Sequence, residues 1–416
     1  MSFHSIFRKA AAVTLSQVII AFSGLAMVYI FTRLISPEEY GAMTYGVLVV
    51  TIFSQLLFGP IGAAVTRFRP RAKQTKYDED FVSAVNLIRV VIVVGIVVLS
   101  SILIPLLYFF ENLSEGNFNI IFAGLIFAFA TGLFTIDNAQ LLGEDRQVLL
   151  SYHRVVEVFL RLTFGIIFGY IFVTGTSVVL GFACGTGLML LVKRPKRLEN
   201  LARQSYWLHK IYRYSKPFAL WGGFTALYLV SDRFLLGYFG GAELVGKYAP
   251  IYQLTYVPII MIFVVVSQLI TPRIYAQAKS GKLGSNFNYI QNKVVMLSVA
   301  SILVTLIISS IYYIGQKYIS EIFLGNSYKE YSYVMPYLVL SAGIFSSGQI
   351  CSLAIQAKDR VDGLISVKIV TAVVGIFMNY FGAKYYGLVG IVMSSIAFGI
   401  FYYSWILIIV FREKGE

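Results

Sequence analysis

Negative charge is scarce in this chain: 20 Asp and Glu stand among 416 residues, against 34 Lys and Arg. Charged residues of both signs reach only 13%, roughly half the share usual in a soluble domain. With 58% hydrophobic residues and a mean hydropathy of +0.75, that shortage excludes an ordinary soluble globule and implies an integral membrane protein. There are two cysteines, Cys184 and Cys351, both in apolar runs; this excludes a disulfide scaffold and suits small packing residues. The three histidines, His4, His153 and His209, are scattered. No His/Cys/Asp cluster has metal-ligand spacing and no glycine loop has the phosphate-cradling pattern, so no metal, no cofactor and no ATP hydrolysis within this chain are expected. A net charge of +14 would suggest nucleic acid in a soluble protein. In a membrane protein the bias of Lys and Arg toward cytoplasmic loops accounts for most of it, and nucleic acid is not an expected partner.

What is present is a succession of apolar runs. A membrane-spanning helix needs about 20 mostly apolar residues, and the sequence predicts twelve. Their approximate limits are 11–34, 42–66, 83–110, 119–142, 150–173, 176–192, 215–239, 245–270, 290–315, 332–356, 362–383 and 387–410. The sixth, containing GFACGTG, is short. The opening MSFHSIFRKA has the basic flank of a signal peptide, but the apolar run after it is too long for one, so it reads as an uncleaved first helix. The expected fold class is therefore all-α, a polytopic membrane protein.

With both termini placed in the cytoplasm, 24 of the Lys and Arg fall in inner segments and four, Lys247, Lys317, Lys329 and Lys384, in outer loops. Such asymmetry sets orientation. The longest basic stretch, Lys193 to Lys216, divides the chain into an N-terminal lobe (1–192), a basic cytoplasmic linker (193–214) and a C-terminal lobe (215–416). Six spans per lobe is an even number, so both lobes enter the membrane in the same sense, which permits a parallel pseudo-repeat. Weak internal likeness agrees: AQLLGEDR at 139–146 has AIQAKDR at 354–360, Arg154 has Lys368, Asn86 and Arg89 have Asn292 and Lys293, and Arg33 has Arg233.

The fifth span, SYHRVVEVFLRLTFGIIFGYIFV, carries Arg154, Glu157 and Arg161. At about 100° per residue, Glu157 lies about 60° and Arg161 about 20° from Arg154, so the three form one narrow stripe. Ionised groups at mid-membrane usually face a bundle interior or a water-filled cavity. Glu157 and Arg161 are also i, i+4, so a structural pair within one helix accounts for both, leaving Arg154 in excess. Arg161, Arg154, Arg89, Lys293 and Lys368 together suit a cationic lumen, since Arg binds phosphate oxygens with a planar fork. Snorkelling is the alternative for Arg89, Lys293 and Lys368. Arg33 and Arg233, near the outer interface, suit a gate or, as the leading reading, interface anchors. Glu157 and Asp137 are candidates for ion coupling, because a carboxylate in an apolar span can carry a proton. Neutralising a neighbouring Arg is the alternative role for Asp137, and the leading one for Asp232.

TRLISPEEYGAMTYG at 32–46 resembles the segment after the first helix of bacterial polysaccharide transporters, a branch of the multidrug/oligosaccharidyl-lipid/polysaccharide exporter superfamily. GPIGAAVTRF at 59–68, SDRFLLGYFGGAELVGKYAPIYQL at 231–254, EIFLGNSYKEY at 321–331 and MNYFGAKYYGLVGIVMSS at 378–395 continue the likeness over nearly the whole chain. The resemblance implies a flippase similar to O-antigen flippases, moving an undecaprenyl-diphosphate-linked oligosaccharide between leaflets of the bacterial inner membrane. It also implies two six-helix lobes, alternating access and coupling to a cation gradient. Expected partners are the lipid-linked oligosaccharide, membrane lipids, and a polysaccharide polymerase and chain-length regulator. Arg33, Pro37, Glu39 and Gly41 match the signature, which places them at the outer gate region. Three competing readings stand beside this. A multidrug/cation antiporter of the same superfamily would want more carboxylates in the lumen. A membrane-embedded polymerase or ligase would want a large catalytic outer loop. A scaffold would need no charged lumen at all.

Overall fold

The computed structural model describes residues 3–74, 78–109, 115–191, 201–279, 285–356 and 361–412. The 193–200 part of the basic linker, residues 111–114 and the 357–360 end of AIQAKDR lie outside the described residues. Every element among the described residues is helical. Hydrocarbon offers no partner to backbone N–H and C=O, so each apolar run must satisfy its own. The chain forms two compact units, Met1–Ala226 and Leu227–Glu416.

The first unit holds α1 (Phe3–Leu34), α2 (Pro37–Lys73), α3 (Asp78–Phe109), α4 (Glu115–Gly143), α5 (Gln147–Phe172) and α6 (Gly175–Leu191). The helical run Leu201–Lys279 is broken at Gly241, with φ 82° and ψ 171°, giving α7 (201–240) and α8 (242–279). Residues 201–226 of α7 belong to the first unit. The second unit holds the rest of α7, then α8, α9 (Ser285–Phe323) and α10 (Met335–Gln356), the last preceded by a 3₁₀ stretch, Asn326–Val334. It ends with Val361–Arg412, broken at Gly387 with φ 56° into α11 (361–386) and α12 (388–412). Both breaks use backbone angles that glycine adopts without steric cost. Twelve helices thus occupy the described residues, one for each apolar run, and α6 is the short one at 17 residues.

From residue 201 onward the basic segment is helical and continuous with the seventh span. Gln204, Trp207, Ile211 and Ser215 recur at helical spacing and are buried, so this helix has a face to pack. Trp207 and Ile211 join Phe58, Phe68, Phe81 and Ile136 in one cluster, with the Trp207 and Phe81 rings edge to face at 5.2 Å. In α2, Pro60 offers no N–H to the carbonyl four residues before it. The helix widens there into a π turn over Ser54–Phe58, a device that takes up such a defect.

Two turns fix the first unit at opposite ends. In the first, Ser36 caps α2 by accepting from the Glu39 N–H at 3.3 Å, and Pro37 occupies the first turn. The Glu39 carboxylate then accepts the Gly175 N–H at 2.6 Å, where the positive end of the α6 dipole favours a negative charge. The SPEEYG signature is thereby a clamp between the α1–α2 and α5–α6 turns. In the second, Arg69 on α2 is buried and donates to Glu144 Oε1 from Nε at 3.0 Å and Nη2 at 2.7 Å. It also pairs with Asp78 at the start of α3, while Arg146 Nε approaches Glu144 Oε2 at 3.3 Å. One guanidinium therefore ties α2, α3 and the α4–α5 turn together.

Two predictions follow from these clamps. A Cβ at Gly175 would lie 2.1 Å from the Glu39 carbonyl oxygen and 2.7 Å from the Met43 nitrogen, whereas one at Gly187 on the same helix meets nothing within 4 Å. Gly175→Ala should therefore lower the melting temperature of the purified protein, with an overpacking cost of about 1–3 kcal/mol, and Gly187→Ala should leave it unchanged or raise it. The second concerns Glu144. Burial pushes its carboxyl up, but the hydrogen bond and charge of Arg69, with Arg146 and Lys73 nearby, outweigh that and hold it below the usual carboxylate range. Its contribution is then fully present above the ordinary carboxylate pKa of about 4.3 and is lost as pH falls through the lower folded value. Wild type should melt above Glu144→Gln at pH 7, and the gap should close in acid.

Candidate functional site

The charged stripe on α5 meets α6 at an unusually close approach. A Cβ at Gly185 would stand 2.6 Å from the backbone nitrogen and Cα of Arg161, so only glycine lets the helices come this near. The contact brings Thr186, fully buried, to Glu157: its hydroxyl donates to Glu157 Oε1 at 2.7 Å. Arg161 Nη1 stands 3.7 Å from the same oxygen, an ion pair too long for a hydrogen bond. Arg161 Nε is buried and has no hydrogen-bond partner among the described residues. Glu157 is thus held chiefly by a hydroxyl from the neighbouring helix, and the guanidinium keeps donor capacity in hand. Arg154, on the same face and half-buried, has no carboxylate within ion-pair distance among the described residues. The stripe therefore carries a surplus positive charge.

The other candidates in this unit fall differently. Arg89 on α3 forms an ion pair with Asp137 on α4, and its Nη1 lies 3.5 Å from Asn86 Oδ1 on its own helix. Asp137, Asn86 and the adjacent Asn138 are all buried. Two residues read separately in the sequence, one for a lumen and one for ion coupling, are here a cross-helix pair. Arg33 is exposed and folds back on its own helix, its guanidinium 3.8 Å from the Tyr29 ring centre and 2.9 Å from the Tyr29 carbonyl.

In the second unit Arg233 Nε lies 3.5 Å from Asp232 Oδ2, and the guanidinium stacks 4.1 Å over the Tyr252 ring. Tyr248 donates its hydroxyl to Asp232 at 3.2 Å. Tyr252 and Tyr256 stack at 4.5 Å, and Tyr256 hydrogen-bonds Tyr228. Tyr248, Tyr252 and Tyr256 recur every four residues, one stripe along α8. That period is the sequence signal for this column. Lys293 on α9 is exposed. Lys368 is on α11, and its side chain lies outside the described residues.

The family model described as "Polysaccharide biosynthesis protein" matches residues 6–276. No curated protein sequence matches the chain. Among solved structures, an inward-facing multidrug resistance MATE family transporter of the MOP superfamily is similar at 17% identity and a TM-score of 0.68, over 96% of each chain. The inward closed lipid II flippase MurJ is similar at 14% identity and a TM-score of 0.69, over 97% of this chain and 87% of that one. A Pyrococcus furiosus transporter of the MOP superfamily, reported to have a binding pocket whose reverse polarity suggests a different function, is similar at 15% identity. It has a TM-score of 0.56 over 98% of this chain and 97% of that one. At these identities the likeness is one of fold.

The Thr186 contact makes a prediction. Thr186→Val keeps the shape and removes the donor, leaving a buried carboxylate short of a hydrogen bond, a loss of about 1–3 kcal/mol. Adding Glu157→Gln should recover most of the lost thermal stability, since no charge then needs that donor. A double variant that melts as low as Thr186→Val alone would mean that the hydroxyl supports something other than Glu157.

Proposed function

The chain belongs to the polysaccharide biosynthesis protein family, and from that premise we propose that it is a flippase for an undecaprenyl-diphosphate-linked oligosaccharide, an O-antigen or related surface-polysaccharide unit. It carries this cargo from the cytoplasmic to the periplasmic leaflet of a bacterial inner membrane by alternating access, with its termini in the cytoplasm. It acts as a transporter and not as an enzyme, beside a polymerase and chain-length regulator that use the translocated unit. The fold it has in common with the lipid II flippase MurJ supports this reading.

The observation that carries the proposal is Arg161. Its guanidinium lies in the middle of an apolar helix with one buried nitrogen unpartnered and its nearest carboxylate at 3.7 Å. Such a group can take a phosphate oxygen without first breaking a tight pair. Arg154 adds a second positive charge on the same face. The polyprenyl tail remains in lipid while the diphosphate and sugars follow the polar stripe, so hydroxyls and charge avoid bare hydrocarbon. Glu157, whose neighbour Arg161 is withdrawn when cargo binds, is the ion-coupling group. Asp137 joins it only when Arg89 lets go. A cation antiporter would need a carboxylate open to its substrate. The described intramembrane carboxylates Asp137, Glu157 and Asp232 each have an Arg beside them, which favours the anionic cargo.

The test is reconstitution. Protein in vesicles containing a fluorescent undecaprenyl-diphosphate oligosaccharide should expose the label to an external quencher faster than empty vesicles do. Arg161→Lys should retain part of the rate, keeping charge and losing the fork, and Arg161→Ala should lose at least roughly tenfold, the effect of about 1.4 kcal/mol. With no ion gradient imposed, so that the coupling role of Glu157 is not called on, Glu157→Gln alone should flip the label normally. Glu157→Gln with Arg161→Ala, which leaves no ionised partner unpaired, should still fail. Near-normal flipping by that double variant would assign Arg161 to the structural pair and overturn its cargo role.

A further inference from the structure

The proposed transport gives Thr186 no part, although its hydroxyl stands nearer to Glu157 than the guanidinium of Arg161 does. The hydroxyl donates to Glu157 Oε1 at 2.7 Å, and Arg161 Nη1 lies 3.7 Å from that same oxygen. A charge-assisted bond is roughly twice as strong as a neutral one. By strength alone Arg161, four residues away on the same helix, should hold the carboxylate. Instead the weaker donor is in contact and the stronger one stands off. Arg161 Nε is buried there without a hydrogen-bond partner among the described residues.

Placement accounts for this inversion. The close approach at Gly185 presses the next residue, Thr186, against the turn of α5 that carries Glu157 and Arg161. Thr186 and Glu157 are both buried, so bulk water does not compete for either group. A threonine inside a helix commonly turns its hydroxyl back to the carbonyl four residues before it. The buried Thr32, Thr44, Thr255 and Thr305 do so, at 2.7 to 2.8 Å. Thr186 departs from that habit and gives its proton to a carboxylate on another helix. Its hydroxyl is spent on Glu157 and not on its own backbone.

We propose, resting on the cargo role of Arg161, that Thr186 is a positioning residue whose hydroxyl holds Glu157 and so keeps Arg161 open to a phosphate. Without that hydroxyl the buried carboxylate turns to the nearest remaining donor, the Arg161 guanidinium. The 3.7 Å gap then closes to a charge-assisted pair. The stripe keeps every charge it had and loses its free guanidinium. If Glu157 captures Arg161 in about nine molecules of ten, the apparent affinity for a phosphate ligand at that group falls about tenfold.

Binding of undecaprenyl diphosphate to the full-length protein in detergent, read by native mass spectrometry with undecaprenol as the phosphate-free control, tests it. Thr186→Val keeps the shape of the side chain and should weaken diphosphate binding by about tenfold. Thr186→Ser keeps the hydroxyl and should bind as wild type does. Thr186→Val with Glu157→Gln removes the captor, since a neutral amide holds a guanidinium less strongly than a carboxylate does, and should restore binding. A lower melting temperature does not move a dissociation constant measured on folded protein, so a purely structural Thr186 predicts wild-type affinity throughout. Thr186→Val that binds like wild type would overturn the positioning role. So would Thr186→Ser as weak as Thr186→Val, or a double variant as weak as Thr186→Val alone. Wild type that binds the diphosphate yet moves no label in the vesicle assay would overturn the transport reading and leave the role of Thr186 standing. Wild type that holds the diphosphate no better than undecaprenol would overturn both.

Discussion

Ionised groups in hydrocarbon are expensive unless something nearby compensates them, and that constraint orders the polar interior of both units. Asp137 has Arg89, Glu157 has Arg161 and Asp232 has Arg233. The three pairs are built differently. Arg89 and Asp137 join two helices and so fix α3 against α4. Asp232 and Arg233 are adjacent in the chain and are held by Tyr248 and Tyr252 from α8. Glu157 and Arg161 share one helix, with the closest contact to the carboxylate coming from Thr186 on another. A cross-helix pair resists movement between its helices, whereas a pair within one helix does not; between α5 and α6 the polar tie is the Thr186–Glu157 hydrogen bond.

The residues that make the family signature recognisable turn out to be those that close turns. Ser36, Pro37 and Glu39 start α2 and fasten α6. The fifth-to-sixth helix turn of each unit passes through a residue of positive φ, Val173 at 54° in the first and Gly387 at 56° in the second. A β-branched residue there is disfavoured, and the Val173 N–H still bonds the Gly169 carbonyl at 2.9 Å. The two turns agree in φ only, since ψ is 31° at Val173 and −133° at Gly387, so each closes its turn by a different backbone path.

The helices were legible because hydrophobic length is a one-dimensional property: each span announces itself without reference to its neighbours. The α5 stripe was legible for the same reason, since Arg154, Glu157 and Arg161 lie on one helix and periodicity alone places them together. The partnership of Arg89 with Asp137 was not, because 48 positions separate them and nothing local records which face of α3 meets which face of α4. Thr186 was invisible in the same way. Its neighbour Gly185 permits the helix contact, but a glycine in the run GFACGTG looks like any other small residue until the opposing backbone is present. The tyrosine column stands between these cases. Its period of four was readable, while its role as a cradle for Arg233 depends on a turn at Gly241 that folds α8 back beside α7.

A buried ion pair is weak grounds for stability, because an apolar pair of the same volume often serves as well or better. The persistence of charge on α5 therefore calls for another reason, and the proposed transport supplies one. An Arg that must release its cargo cannot hold it in a deep well, and one that must accept cargo cannot be locked to a carboxylate. The α5 arrangement meets both conditions. Thr186 donates one hydrogen bond to Glu157 independently of Arg161, so the carboxylate keeps a donor when the guanidinium turns away. On the proposed transport, Glu157, 3.7 Å away and not hydrogen-bonded to Arg161, is the partner that a cargo phosphate would displace. Exchange between two partners of similar strength is what lets a modest difference between conformations decide which one is bound. On that proposal the hydroxyl from α6, more than either charge, is the feature that would let Arg161 change partners.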